Sequence, residues 1–379
     1  MRLAEVDGKA LLRRHGLAVP QGVLLGAGEA PSDDVATWPG FLLKAQVLEG
    51  GRGKRGLVRR FDSAAGFRDA RRLILATLDD ADTPLLLEAA VSIAREIFMA
   101  VRIDGTRQTL ELLIAPQGGE NVEQSAKLAR IAIAGATPPD AIFPAIAKFF
   151  PRDLAARLAR YAARLPDIAR QEDLELLEIN PLALTDDGHL IACDAKIIRD
   201  DSADFRHEPN EFAVSRTLAE RAATTLERSA RDLGFQLVET TGNVVLVTSG
   251  AGLAMMMMDL LADHGLAAAS FMDNLRGAPD ETMTERLKIA RALAARPKIK
   301  AIVFQTVIAS RSLAERVGSL IAWIGAEPLP KPLFVGLAAG HAATRQMSVE
   351  AAIEKLRALG VAAFTDPVAL VKAVALAVN

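Results

Sequence analysis

Between positions 40 and 115, apolar residues fall in short runs broken by charge and glycine. Phe41-Leu42-Leu43, Leu85-Leu86-Leu87 and Ile97 to Val101 read as strands. One longer stretch, Ser63 to Leu78, spaces Phe67, Leu73, Ile74 and Leu78 near the helical period with arginines elsewhere, which predicts a surface helix. Residues 138 to 170 predict helix punctuated by Pro151, and Leu174 to Leu177 and His189 to Cys193 return to strand character. The first half is therefore α+β. From residue 236 the rhythm becomes a strict alternation of strand and helix. Apolar runs at Val244 to Val247, Ala268 to Met272, Ile299 to Phe304, Leu333 to Leu337 and Val361 to Phe364 are each followed by an Ala- and Leu-rich helical stretch. That is the signature of an α/β domain, a flavodoxin-like five-stranded parallel sheet wound by right-handed crossovers. The segment Asp200 to Gly234 carries Asp200-Asp201-Ser202 and Pro209 before a charged helix. It puts the boundary near residue 230, with domains over 1–230 and 236–379.

Length and composition narrow the class. A chain of 379 residues suits two or three domains. Lys+Arg 45 against Asp+Glu 47 argues against a nucleic-acid wrapper or a polybasic membrane binder. The single cysteine, Cys193, allows neither an internal disulfide framework nor a Cys-based zinc cluster, and fits a reducing compartment. The N-terminal residues lack a signal-peptide core and no apolar run is long enough to span a bilayer, so the expectation is a soluble, cytoplasmic protein.

Two segments carry chemistry. In Lys44 to Gly56, a strand bearing a lysine feeds four glycines mixed with three further cations. Glycines let backbone N–H groups approach phosphate oxygens, and cations neutralise them. No Ser or Thr follows Lys54, so this is not a P-loop; a solvated hairpin turn explains the segment equally well. The second segment is Leu174 to Lys196, where Thr185-Asp186-Asp187-Gly188-His189 is turn chemistry between two strand-like runs. A three-residue loop at 186–188 faces Thr185 with His189, Asn180 with Asp194 and Glu178 with Lys196, the last four on one sheet face. An Asn carbonyl and an Asp carboxylate so placed suit Mg²⁺; a polar cross-strand patch on an exposed face is the competing reading.

With Leu177-Glu178-Ile179-Asn180-Pro181-Leu182, these elements resemble the ATP-grasp β subunit of succinyl-CoA synthetase and related acyl-CoA synthetases. The resemblance begins at Gly16-Leu17-Ala18-Val19-Pro20. It continues through Lys44 to Gly53, Leu87 to Ala90, Arg95-Glu96 and Gln117-Gly118-Gly119, and ends at Gly250 to Met255. It implies an ATP-grasp domain followed by the flavodoxin-like one. It further implies that Lys44 and Gly51-Arg52-Gly53 hold the nucleotide phosphates, and that Glu88, Val91 and Glu96 line the nucleoside pocket. Asn180 and Asp194 would then ligate Mg²⁺, and Glu178 would orient the phosphohistidine of a partner. Pro20 hints at ATP over GTP.

Such enzymes pass phosphate from ATP to a histidine and from histidine to a carboxylate, and then displace the acyl phosphate with the thiol of coenzyme A. The histidine and most of the coenzyme A contacts belong to an α subunit. None of His15, His189, His207, His264 and His341 stands on a matching motif, so this chain alone is expected to be catalytically incomplete.

In the second half, Ser249-Gly250-Ala251-Gly252 lies where a strand yields to a helix, with Ser249 as the expected N-cap and a helix end that favours an anion. The resemblance implies that this end faces the phosphohistidine, and a purely structural strand-to-helix turn is the competing reading. The run Met255 to Met258 reads as core or interface filler. The chain departs from the family here: Ser249 stands for an Asn, and Asp273-Asn274-Leu275-Arg276-Gly277 replaces a glycine-rich loop. Thr306-Val307-Ile308-Ala309-Ser310 replaces a Phe-Gly-Gly-Ile-Val loop that would contact the acid. Backbone freedom falls when glycines become β-branched residues, so the acid's identity is open, with Arg276 or Arg311 as new carboxylate partners. Two other functions compete: an ATP-grasp carboxylate-amine ligase without histidine relay, and a low-activity assembly or regulatory subunit.

Overall fold

The computed structural model describes residues 1–119, 122, 126–274, 281–309 and 312–378. It divides into two compact units, Met1–Glu220 and Arg221–Asn379.

Unit 1 carries two antiparallel sheets. The smaller is ordered β1-β4-β2-β3, from β1 (Gly22–Leu25), β2 (Phe41–Ala45), β3 (Val58–Phe61) and β4 (Leu85–Ala89). Helix α1 (Glu5–Arg14) precedes β1, and α2 (Ala64–Leu78) packs on this sheet. The expected surface helix is α2. The Ser63 hydroxyl accepts from the Gly66 N–H at its start, and Phe67 and Ile74 join Leu43, Phe61 and Leu87 in the core.

The larger sheet is ordered β10-β8-β5-β6-β7. Its strands are β5 (Arg95–Asp104), β6 (Thr109–Ala115), β7 (Ala129–Ile133), β8 (Leu174–Leu184), β9 (Leu190–Ala192) and β10 (Lys196–Arg199). Strand β9 also pairs with β8. The expected helical region is three helices, α3 (Pro139–Ile146), α4 (Arg152–Ala162) and α5 (Leu165–Gln171), with Pro151 at the N-cap of α4. Ile142, Leu158 and Ile168 bury against Leu177 and Ile179 of β8. Helix α6 (Ala213–Ala222) carries the chain across the division between units.

In unit 2, α7 (Thr225–Asp232) packs on β11 (Phe235–Glu239) and is closed by a Thr224–Glu227 capping box. That packing places residues 225–232 in the second unit. The strands of the parallel sheet are β12 (Val244–Thr248), β14 (Ala301–Ile308), β15 (Leu333–Ala339) and β16 (Ala362–Phe364), in that order.

The remaining expected strand, β13 (Ser270–Asn274), pairs antiparallel with β11 and meets β12 only through a parallel bridge, Val244 to Ala268. The reason is local: the Ser270 hydroxyl accepts from Leu246 N–H at 3.0 Å and donates to Leu246 C=O at 3.1 Å, taking the place of a ladder. Helices α9 (Glu281–Ala294), α10 (Leu313–Ala326) and α11 (Val349–Ala358) bury Leu287, Val317 and Ile353 with Val245, Val247 and Phe304 on one face. On the other face, α8 (Ala251–Asp263) and α12 (Pro367–Val378) bury Met257, Leu261 and Leu370 with Val244, Leu246 and Val303. Among the described residues, no helix is long and apolar enough to cross a membrane.

Candidate functional site

The hairpin arithmetic holds. Thr185 N–H donates to His189 C=O, and Gly188, at φ 85°, closes the three-residue loop. Leu182 pairs with Ala192, Cys193 N–H donates to Pro181 C=O, and Glu178 pairs with Lys196 at 3.5 Å between their charged groups. Asn180 and Asp194 therefore lie opposite one another, where the returning strand lapses between β9 and β10. Their face is the one away from the core that Leu177 and Ile179 fill.

Lys44 comes to this hairpin from the small sheet. Its ammonium donates to Cys193 C=O at 2.9 Å, one residue before Asp194, and pairs with Glu5 and Glu88 at 2.8 Å each. Lys9 meets the same two carboxylates, at 2.6 and 2.5 Å, and the same carbonyl at 2.8 Å. Arg52, from the glycine-rich segment, folds back to bridge Glu5 at 2.5 Å and Asp194 at 2.6 Å. Six charges thus balance, three of each sign, and all except Asp194 are nearly buried.

Burial penalises the charge on Glu5, but Lys44, Lys9 and Arg52 outweigh it and hold the carboxyl well below the usual carboxylate range. Burial likewise opposes the charge on Lys44, where Glu5 and Glu88 prevail and raise its pKa. Burial is overcome in the same way at Arg52, by Glu5 and Asp194. Burial pushes the Cys193 thiol up to about 11.

The remaining nucleotide-site candidates form a second group. Asn180 Oδ1 accepts from Gly119 N–H, and its Nδ2 donates to Gly119 C=O, both at 2.9 Å. A Cβ on Gly118 would lie 3.1 Å from Asn180 Oδ1 and 3.4 Å from Glu96 Oε2, so this backbone passes close against the two side chains. Glu96 is exposed and Val91 half-buried. Gly51, at φ 72°, and Gly53 face open space, as backbone donors to a phosphate would require. No helix opens at this loop. The donor set suits Mg²⁺: a carboxylate and an amide carbonyl, both hard oxygens, across one strand pair. Elsewhere in unit 1, Glu172, His207 and Glu211 bring ligand atoms within 4.8 Å of one another. Arg14 already bonds both glutamates there, which makes the group an ion-pair clasp.

In unit 2, Ser249 is not the N-cap. Gly250, at φ 98°, occupies that position without a side-chain bond. The Ser249 hydroxyl instead turns to β14, accepting from Thr306 Oγ1 at 3.0 Å and Val307 N–H at 3.1 Å. Thr306, Val307 and Ile308, expected in a loop, extend β14 and pair with Leu337, Ala338 and Ala339, as β-branched residues favour. Asp273 and Asn274 similarly end β13, paired with Gln236 and Phe235. Ala251 and Gly252 open α8, and Ala309 follows β14, all three exposed. Leu275, Arg276, Gly277, Ser310 and Arg311 lie outside the described residues. Of the methionine run, Met257 is core, Met258 is half-buried, and Met255 and Met256 are exposed.

Sequence reasoning missed Glu5, Lys9 and Arg286. The first two share a helical stripe with Gly8 and Leu12, and Arg286 shares one with Met283, Leu287 and Ala290. A charge on an apolar stripe was the available signal.

Two antiparallel sheets with a lysine strand, a glycine-rich turn and a facing Asn–Asp pair have the organisation of an ATP-grasp protein, and the ATP-grasp domain family matches residues 2–184. Over a longer span, the chain is 32% identical to the succinate–CoA ligase [ADP-forming] subunit beta of Methylobacillus flagellatus. That match covers 349 residues, 86% of this chain and 88% of the relative. It is 32% identical to that of Chloroflexus aurantiacus over 358 residues, 89% and 90% respectively. The chain belongs to the succinate–CoA ligase β-subunit family, whose members are acid–thiol ligases using ATP and Mg²⁺ with coenzyme A as co-substrate. The fold also matches the ATP citrate lyase of Methanothrix soehngenii solved with citrate and coenzyme A. The TM-score is 0.67 at 16% identity, over 98% of each chain.

Proposed function

We propose that the chain is the β subunit of a cytoplasmic carboxylic acid–CoA ligase that works through a phosphohistidine on an α-like, CoA-binding partner and an acyl phosphate. The observation that carries this reading is the β8–β9 register, with Lys44 bonded to the carbonyl next to Asp194. Lys44, Arg52 and the open-faced glycines hold the ATP phosphates, Glu88, Val91 and Glu96 line the nucleoside side, and Asn180 and Asp194 hold Mg²⁺. In that role Mg²⁺ neutralises phosphate charge during transfer. Arg52 must exchange part of its bond to Asp194 for phosphate, a substitution of one anion for another that keeps the guanidinium paired.

Glu178, on the face of Asn180 and beside Lys196, orients the incoming phosphohistidine. At the unit 2 edge, Ser249, Gly250, Ala251 and Gly252 meet the phosphoryl group, while Ile308, Ala309 and Ser310 contact the acid. The β-branched extension of β14 supports an acid other than succinate.

The test is co-purification followed by labelling with γ-³²P-ATP and Mg²⁺. Label on a histidine of the partner, discharged by acid plus coenzyme A, is expected. Label on a free small acid alone supports a carboxylate-amine ligase instead, and no label supports an assembly subunit. A panel of mono-, di- and hydroxy-acids then identifies the substrate.

A further inference from the structure

In unit 2 the chain order of the strands reverses between β12 and β14, with β13 beside β12 on one side and β15 and β16 beyond β14 on the other. Ligands of open α/β sheets bind outside the carboxyl ends of the strands at such a reversal. Arg286 is delivered to this edge. It sits on the core stripe of α9 among Met283, Leu287 and Ala290, 1% exposed, where the pattern otherwise calls for an apolar residue. Its guanidinium donates from Nη1 to Thr248 C=O, the last carbonyl of β12, at 2.9 Å, and lies 5.7 Å from the Phe235 ring centroid.

A buried cation is expensive to keep, and this one reaches the turn that follows β12. Thr248 is held by Arg286. Ser249 is held by Thr306 and Val307, so its oxygen accepts twice and its own proton is left to donate outward. Gly250 then turns the chain into α8, whose first N–H groups have no side-chain cap. The Thr248 hydroxyl, on the face that α8 covers, is buried with no hydrogen-bond partner among the described residues. Among the described residues, Asp273 at the end of β13 and Arg316 on α10 act on the guanidinium.

We propose that Arg286 is a positioning residue for the acyl-transfer step: it fixes the Thr248–Gly250 turn, and with it the donors that meet an anionic phosphoryl or carboxylate group, from behind the sheet. Its charge acts through a poorly screened interior and not by touching the substrate. This rests on the reading of unit 2 as the site where the phosphohistidine meets the acid, whereas ATP is handled in unit 1. The two half-reactions therefore separate the role.

The experiment uses the purified complex of the chain with its partner, carrying Arg286→Met or Arg286→Lys. Histidine labelling from γ-³²P-ATP is expected within about threefold of wild type in both. Discharge by acid plus coenzyme A should fall roughly 10- to 100-fold in R286M, the range of a lost charged hydrogen bond, with R286K recovering most of it. If R286M does not assemble, R286K alone serves: a several-fold slower discharge at unchanged labelling is the expected result, and unchanged discharge overturns the proposal. Discharge in R286M within threefold of wild type overturns it. So does a parallel fall of labelling and discharge that lysine fails to rescue. A wild-type complex with no histidine label would instead refute the phosphohistidine reading on which the proposal stands.

Discussion

Replacing Glu5 by Gln tests whether the six charges around Lys44 are coupled. Glu5 is 1% exposed and is the shared partner of Lys9, Lys44 and Arg52 at 2.5 to 2.8 Å. Gln removes the charge at nearly constant shape and leaves three cations facing Glu88 and Asp194. Removing one member of a buried ion pair costs about 3 to 5 kcal/mol, because the remaining charge stays buried without compensation. In a unit of this length each kcal/mol moves the melting temperature by about 2 to 4 °C, so unit 1 should melt roughly 10 °C earlier. The double variant Glu5→Gln/Lys9→Met restores the balance, with Lys44 and Arg52 facing Glu88 and Asp194. It should be more stable than Glu5→Gln alone by about 1 to 3 kcal/mol.

The sign with pH follows from the lowered carboxyl. The folded pKa lies below the ordinary 4.5, so the stabilisation is fully present above pH 4.5 and is lost as pH falls below it. Glu5→Gln should therefore flatten the acid limb of stability against pH. Calorimetric scans between pH 3 and pH 8 measure all three quantities. A melting shift under about 2 °C for Glu5→Gln, or a double variant as unstable as the sum of the singles, would refute the coupling.

Asp194→Ala should weaken Mg²⁺–ATP binding by at least about tenfold in a titration that follows bound nucleotide, the loss of one charged ligand. Equal affinity would remove Asp194 from the metal. Gly242→Ala should destabilise unit 2 more than Gly336→Ala does, as seen by denaturant melts. At 242 the new Cβ meets backbone, Ala268 O at 2.0 Å and Ala267 O at 2.2 Å, while at 336 it meets side-chain ends, the Gln305 amide at 1.6 Å and Leu370 Cδ1 at 2.9 Å, which rotamer changes can move more cheaply than backbone. Cys193, with its thiol pushed up to about 11, should resist iodoacetamide at pH 7.5 until the protein unfolds, and fast alkylation of the folded chain would contradict that shift.

Much of this was legible in the sequence because the periodic signals were strong. The turn at 186–188 fixed a register that reached as far as Glu178 and Lys196, since strand pairing advances one residue at a time on each side. The β13 neighbourhood was not legible, because an apolar run says that a strand exists but not that a serine hydroxyl will replace its ladder. The extent of β14 was missed because a family loop was expected where Thr306, Val307 and Ile308 favour extension. Two of the six charges around Lys44 were hidden for another reason. Nothing local marks Glu5 and Lys9 as buried, and it is tertiary packing against Lys44 of β2 and Glu88 of β4 that encloses them.

Because Lys44, Arg52 and Asp194 are tied to Glu5, Lys9 and Glu88, selection for a well-folded protein alone would preserve them in a descendant that had given up the reaction. Their presence in a related sequence is therefore weak testimony to turnover. Glu178, paired at 3.5 Å with a solvent-facing lysine, carries little such structural duty, and its retention or loss is the better sign of which descendants still transfer phosphate.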